Sequence, residues 1–194
     1  MTVLLIAGSP SERSRSAALL DAVGQRLAAN GANVERVLIR NLSPQALLLA
    51  DVTHSTLSAA IDQVARARVV VVATPVYKAA YSGVLKVFLD LLPQTALAGK
   101  TVLPLATGGS PNHMLALDYA LRPVLQSLSA RFILPGIYAT DSQVTVLPEG
   151  GSVLHADIAA RLDDAVEVLL REGLQRSVKP GFAPVDFSQV RCSV

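Results

Sequence analysis

Short hydrophobic runs alternate along the chain with longer stretches that have the period of an amphipathic helix. The runs are rich in β-branched residues and occupy residues 2–7, 33–39, 69–74, 101–106 and 132–139. Helical periodicity covers most of the intervals, at residues 14–30, 57–67, 82–92, 112–128 and 156–173. This alternation predicts a parallel sheet with helices on both faces.

Five parallel strands joined by such crossovers fit one common topology. We expect an α/β, flavodoxin-like, doubly wound sheet with the strand order 2-1-3-4-5. In this topology ligands bind beyond the carboxyl ends of the strands, which here points to the loops after the first and third strands. Periodicity ends near Gly173, so we expect one domain over residues 1–172 and a tail over residues 173–194.

The chain is more apolar than most soluble monomers. Of its 194 residues 51% are hydrophobic, and the mean hydropathy is +0.44. No apolar run approaches the roughly 20 residues that a bilayer span requires. Residues 82–92 would be apolar nearly all round a helix, so we expect a homodimer or homotetramer that covers them. The chain begins in a predicted strand without the features of a secretory signal, which predicts a cytoplasmic location.

Charge, cysteine and histidine content argue against several other classes of protein. The formal net charge is only +2, and the basic residues are not gathered into a stripe, so we expect no nucleic-acid partner. A single cysteine, Cys192, excludes an internal disulfide. The three histidines, His54, His113 and His155, lack the spacing of metal ligands, so we expect no metal site.

The loop after the first strand has the residue types of an anion site. It reads GSPSERSRS over residues 8–16 and leads directly into a helix. Hydroxyl groups and free amides at a helix N-terminus favour a negative charge. The loop lacks the ending of a nucleoside-triphosphate loop and the glycine spacing of a dinucleotide fingerprint, so a single terminal phosphate is the expected ligand. A plain serine cap with solvated arginines is the alternative interpretation.

The loops after the third and fourth strands have the residue types expected around a flat ring. In TPVYKAAYSGVLK, residues 74–86, Pro75 ends the strand and leaves the backbone free to face a ligand. Val76, Tyr77 and Lys78 are predicted to border an aromatic ring, and the alternative is an ordinary loop aromatic at Tyr77 and a solvated charge at Lys78. ATGGSPNH, residues 106–113, has two glycines that would let the main chain approach the ring. Together the three loops predict an FMN site.

The motifs that carry this prediction resemble the NADPH-dependent FMN reductase family. Within it, they are similar to the reductase component of two-component alkanesulfonate monooxygenase systems. The likeness covers about residues 2–144 and rests on LLIAGSP, ATPVYKAAYSGVLK, GKTVLPLATGG, LDYALRPVL and DSQV. It implies FMN and NADPH as cofactors, with hydride transfer from nicotinamide C4 to flavin N5 and no catalytic side chain.

The resemblance also assigns roles to individual residues. It implies that the flavin phosphate is bound by Ser9, Arg15 and Ser16. The isoalloxazine would be held by Pro75, Val76, Tyr77, Lys78, Thr107, Gly108 and Gly109. Ser11 stands where many relatives have arginine, so no role is carried over to it.

Tyr119 is expected to lie at a defect in the helix over residues 112–128. Pro123 has no amide proton and cannot donate a hydrogen bond to the carbonyl of Tyr119. A local bulge there therefore costs little free energy. The resemblance implies that this bulge lies at a subunit interface, and our hypothesis is that it loosens flavin binding so that FMN behaves as a substrate. A plain proline kink is the alternative.

The function implied is an NAD(P)H-dependent FMN reductase that supplies reduced FMN to a flavin-dependent, alkanesulfonate-type monooxygenase. Three alternatives stay open from the residues themselves. One is a quinone or azo reductase of the same fold that retains its flavin. The others are a non-catalytic, flavodoxin-type electron carrier and a protein of this fold that binds no flavin.

Overall fold

The structure is a computed structural model and describes residues 2–175. Its central sheet is parallel, with the strand order β2-β1-β3-β5-β6, and β7 also pairs with β5. This arrangement confirms the predicted flavodoxin-like order 2-1-3-4-5. The strands are β1 (Thr2–Ala7), β2 (Asn33–Leu38), β3 (Val69–Tyr77), β4 (Ala80–Tyr81), β5 (Thr101–Gly108), β6 (Phe132–Ile133), β7 (Ile137–Thr140), β8 (Val144–Val146) and β9 (Ser152–Leu154).

The helices lie close to the positions that periodicity predicts. They are α1 (Arg15–Ala29), α2 (Pro44–Leu48), α3 (Ser55–Arg66), α4 (Gly83–Asp90), α5 (Arg122–Ser127) and α6 (Ala156–Gln175). The short helix α2 was not predicted, although Ser43 caps it and Pro44 occupies its first turn. The predicted boundary at residue 172 falls in the last turn of α6, and residues 176–194 of the predicted tail lie outside the described residues.

The fifth strand is interrupted, contrary to the prediction of one run over residues 132–139. Strands β6 and β7 both pair with β5, and residues 134–136 separate them. The amide of Leu134 still donates to the carbonyl of Val102 at 2.9 Å, but Pro135 has no amide to donate. The main chain therefore leaves the ladder after Leu134 and returns to it at Ile137, with one extra residue relative to β5.

Alternate residues of the strands enter two separate cores. Leu4, Ile6, Val70 and Val72 lie in the core under α3, α4 and α5. Val3, Leu5, Val69 and Val71 lie in the core under α1 and α6. Strands buried on both faces read as unbroken apolar runs, which explains the run of four valines in β3.

The segment predicted as one helix over residues 112–128 consists of three pieces. A 3₁₀ turn (Pro111–His113) is followed by a π turn (Leu117–Leu121) and then by α5. The amide of Arg122 donates to the carbonyl of Leu117, five residues earlier, which is the bond that defines a π turn. The predicted defect at Tyr119 is therefore present, and the prediction of a continuous helix is wrong.

Among residues 2–175, no helix is both long enough and apolar enough to cross a bilayer. The same residues contain no group of three or more His, Cys, Asp or Glu side chains placed to hold a metal ion.

Candidate functional site

The loops after β1, β3 and β5 meet at one edge of the sheet and enclose an open pocket of about 230 Å³. The parallel pairings of β1 with β3 and of β3 with β5 bring their carboxyl ends together. The pocket is lined by Ser9, Ser11, Arg13, Ser14, Arg15, Pro75, Val76, Tyr77, Thr107, Gly108, Gly109 and Asp141.

Eight of the ten residues predicted to bind the cofactor line this pocket. They are Ser9, Arg15, Pro75, Val76, Tyr77, Thr107, Gly108 and Gly109. The other two, Ser16 and Lys78, lie beside it without forming its wall. Ser16 is buried and its hydroxyl lies 2.8 Å from that of Ser14, whereas Lys78 occupies the exposed turn after β3.

The first loop presents a helix N-terminus to the pocket. Ser14 caps α1, since its hydroxyl accepts a hydrogen bond from the amide of Ala17 at 3.4 Å. The hydroxyl of Ser9 accepts one from the amide of Ser11 at 3.1 Å, which shapes the loop. The amides in the first turn of a helix have no intrahelical acceptor, so this end of the pocket favours an anion.

Arg15 is held to one side of the first loop. Its Nη1 lies 3.5 Å from Oδ2 of Asp141, and its Nε donates to the carbonyl of Val144 at 3.2 Å. Arg13 also lines the pocket and is exposed, and it has no hydrogen bond or ion pair within the described part of the chain. This end of the pocket thus has one guanidinium group that is free within the described residues and one that is engaged.

The second loop is a β-hairpin that the sequence did not predict. Val76 pairs with Tyr81 and Tyr77 with Ala80, which leaves a two-residue turn. Both turn residues, Lys78 and Ala79, have positive φ, at 50° and 63°. Such turns favour Asn-Gly, and other residues adopt them at a cost of about 1–2 kcal/mol each. The turn holds Tyr77 at the rim of the pocket with 49% of its surface exposed.

In the third loop, packing against a neighbouring side chain requires a glycine at the first of the two glycine positions. A Cβ atom on Gly108 would lie 2.5 Å from the hydroxyl oxygen of Tyr138. That hydroxyl donates to the carbonyl of Ser110 at 2.6 Å, and burial, followed by the charge of Asp141, raises the pKa of Tyr138. Gly109 is different, since its Cβ position is open and the nearest atom, Oδ2 of Asp141, is 3.7 Å away. Only Gly109 therefore fits the predicted role of leaving space for a ligand.

Two buried hydroxyl groups connect the first loop to the second. Ser82 is the N-cap of α4. Its hydroxyl donates to the carbonyl of Gly8 and accepts from the amide of Leu85. The amide of Ser82 donates to Oγ1 of Thr74 at 2.9 Å, and Thr74 donates to the carbonyl of Pro75 at 2.9 Å. Sequence reasoning missed Thr74 and Ser82, because the contact with Gly8 joins residues that are 74 positions apart.

Tyr119 lies on the π turn, outside the pocket. Its side chain is 79% exposed, the largest exposure among the large hydrophobic residues described. The π turn packs against strand β4 of the hairpin and so lies next to the second loop. Met114 and Leu115, in the preceding residues, are also more than half exposed.

Comparison with known proteins gives a consistent picture. The family model described as NADPH-dependent FMN reductase matches residues 1–145. An FMN reductase (NADPH) of Escherichia coli strain K12 is 45% identical over 92% of this chain and 93% of its own length. A second, from Pseudomonas putida strain KT2440, is 46% identical over 90% of this chain and 85% of its own length.

A solved structure agrees with these relatives in fold and in sequence. The apo form of an NADH:FMN oxidoreductase, EMOB, superposes with a TM-score of 0.80 and is 40% identical. The superposition covers 92% of this chain and 91% of that one. The chain therefore belongs to the NADPH-dependent FMN reductase family, which confirms the enzyme class and the cofactors, FMN and NADPH, expected from its sequence.

Proposed function

We propose that this FMN reductase uses FMN as an exchangeable substrate and supplies reduced FMN to an alkanesulfonate-type, flavin-dependent monooxygenase in the cytoplasm. The observation that carries the proposal is the meeting of three loops in one open pocket. Anion-binding groups occupy one end of the pocket, and Gly109 and the hairpin occupy the other. The residues present therefore fit a flavin mononucleotide.

The first loop is the proposed phosphate site. The N-terminus of α1 supplies free amides, Ser9 and Ser14 supply hydroxyl groups, and Arg13 and Arg15 supply positive charge. Ser16 supports this site through its 2.8 Å contact with Ser14. A phosphate monoester bears about 1.5 to 2 negative charges at neutral pH, which suits this set of donors.

The second and third loops form the proposed ring site. Pro75, Val76 and Tyr77 line it from the end of β3, and Thr107, Gly108 and Gly109 line it from the end of the neighbouring strand β5. Lys78 contributes through the turn that places Tyr77, not through the wall. When bound, FMN supplies the ring that accepts a hydride from the nicotinamide. The protein's part is to align the two cofactors and to offer backbone amides near Gly109 to the polar edge of the ring.

Tyr119 and its π turn are proposed to keep flavin binding weak. The π turn contacts the hairpin that carries Tyr77. A change in the π turn can therefore shift the hairpin and, with it, the proposed ring site. We expect Tyr119→Ala to change the dissociation constant (Kd) for FMN, measured by flavin fluorescence. Leu49→Ala, which truncates a 70% exposed leucine elsewhere, is the control. An FMN affinity that is the same in wild type and Tyr119→Ala would count against this role.

A homodimer or homotetramer is the proposed assembly. Helix α4 buries Leu85, Phe88 and Leu89 in its own core, yet Val84 and Val87 remain partly exposed on the same helix. A second subunit would cover them, together with the exposed side chains of the π turn. A monomer by light scattering at micromolar concentration would contradict this assembly.

The first experiment is the rate of NADPH consumption by dialysed protein with and without added FMN. We expect turnover that rises and saturates with FMN, as required if the flavin is a substrate. Full turnover without added FMN would instead indicate a reductase that retains its flavin. Tight FMN binding with no turnover would indicate an electron carrier, and neither binding nor turnover would overturn the assignment of the pocket.

The partner is tested separately. A mixture of the reductase, NADPH, FMN and an alkanesulfonate monooxygenase should oxidise an alkanesulfonate, with the monooxygenase alone as the control. If the mixture consumes NADPH but leaves the sulfonate unchanged, the reductase activity stands and the proposed partner does not.

A further inference from the structure

The pocket contains one negative charge where an anionic ligand is expected. Asp141 lines the pocket together with Arg13 and Arg15. Its carboxylate lies 3.5 Å from Arg15 and 3.7 Å from the position that a Cβ on Gly109 would take. Asp141 therefore lies between the proposed phosphate site and the ring site. Asp141 and Arg15 are both about half exposed, so solvent and ligands reach the pair.

The loop that carries Asp141 is held in place by side-chain hydrogen bonds of Gln143. The side-chain oxygen of Gln143 accepts hydrogen bonds from the amide and the hydroxyl of Thr140, at 2.9 and 3.0 Å. The side-chain amide of Gln143 donates to Asp157 at 2.9 Å, at the beginning of α6. The main chain on either side of Asp141 is thus fixed, and the carboxylate is kept at the pocket.

A bound phosphate and this carboxylate would require the same guanidinium group. Arg15 already has two acceptors, Asp141 and the carbonyl of Val144. A flavin phosphate must share Arg15 with Asp141 or displace it, and it also meets the repulsion of a second anion. Both effects weaken binding of the flavin phosphate and leave binding of the isoalloxazine ring unchanged.

We propose that Asp141 limits the affinity for FMN by competing with the flavin phosphate for Arg15. The inference rests on the proposed function, in which FMN must leave the enzyme after each turnover. It assigns to Asp141 a role in flavin exchange that is independent of the π turn. Because exposed ion pairs are weak, the expected effect is about three- to tenfold in Kd.

The test compares Asp141→Asn with wild type in binding FMN and riboflavin, which differ only in the phosphate. We expect the Kd for FMN to fall about three- to tenfold and that for riboflavin to stay unchanged. The difference should shrink as ionic strength rises, because salt screens exposed charges. Asp163→Asn is the matched control, since it removes one charge from another exposed ion pair, with Arg26. This control should leave the affinity for both flavins unchanged.

Several outcomes would overturn the inference. A higher Kd for FMN in Asp141→Asn would show that Asp141 orients Arg15 for the phosphate. An unchanged Kd, or an equal change for both flavins, would also contradict competition at the phosphate. The FMN dependence of wild-type turnover, measured on the same preparation, tests the proposed function separately. Either result can fail without the other.

Discussion

The hydroxyl group of Ser82 donates a hydrogen bond to the carbonyl oxygen of Gly8, so the N-cap residue of the helix after one loop holds the backbone of another loop. The contact joins the loop of the proposed phosphate site to the loop of the proposed ring site. Ser82 is 1% exposed, so water cannot replace the lost donor.

Removing this hydroxyl should weaken FMN binding as well as the fold. We expect Ser82→Ala to destabilise the protein by about 1–3 kcal/mol, because a helix cap and a buried hydrogen bond are lost. The Kd for FMN should rise, and Ser82→Thr should restore part of the affinity. Ser43→Ala, which removes the cap of α2, controls for the loss of a cap alone. Unchanged FMN affinity in Ser82→Ala would contradict a role for this contact in shaping the pocket.

Gly108 and Tyr138 should behave as a coupled pair. Gly108→Ala places a methyl group against the Tyr138 hydroxyl and should cost about 1–3 kcal/mol of unfolding free energy. Tyr138→Phe alone should cost about 1 kcal/mol through its lost hydrogen bond to Ser110. The double variant should be more stable than the sum predicts, as urea unfolding would show. Gly109→Ala is the control and should cost little, and strict additivity of the pair would refute the clash.

The strained turn after β3 offers a stabilising substitution. Ala79→Gly removes the steric cost of positive φ, partly offset by a more flexible unfolded chain. The net gain should be about 0.5–1 kcal/mol, measured by thermal or urea unfolding. Ala80→Gly, one residue later in β4, should destabilise instead. If Ala79→Gly also lowers stability, the positive φ carries no strain.

Asp157 should contribute stability that disappears in acid. The ring of His155 donates to its carboxylate and the amide of Ile158 does the same, and together they lower the pKa of Asp157. A carboxyl group with a lowered folded pKa stabilises the protein above its unfolded pKa of about 3.9. That contribution is lost as the pH falls through the folded value.

Asp157→Asn should therefore lower the melting temperature at pH 6, and the difference from wild type should vanish towards pH 2. Asp62→Asn is the control, because Asp62 accepts no hydrogen bond within residues 2–175. A difference that stays constant across this pH range would exclude the carboxylate as its source.

Periodicity was enough to predict the parallel sheet, because its central strands β1, β3 and β5 are buried on both faces. The unbroken valines of β3 are the clearest case. It did not predict the break at Pro135, although the missing amide is visible in the sequence, because the apolar run continues through the break and pairing with β5 resumes at Ile137, one residue out of register. The hairpin β8–β9 was missed because its strands are three residues each, too short to show a period.

The site was predicted where its residues are local in sequence. The loops that follow β1, β3 and β5 are short segments next to recognisable strands, so the pocket lining from Ser9 to Gly109 was largely anticipated. The contacts of Ser82 with Gly8 and of Arg15 with Asp141 join distant segments, and no local pattern indicates them. Gly108 lines the pocket, but the structure requires a glycine there because of Tyr138, which lies on a different strand and could not be anticipated from the local sequence.

The division of the molecule into two cores has an evolutionary consequence. The phosphate loop leads into α1, which packs on one face of the sheet, and the ring loop leads into α4, which packs on the other. The backbone of the sheet separates side chains on one face from side chains on the other. Substitutions on opposite faces are therefore distant from each other, and the effects of distant substitutions on stability generally add. A lineage can thus repack the face under α4 while the packing that supports the proposed phosphate loop stays the same, and the reverse is equally open to it.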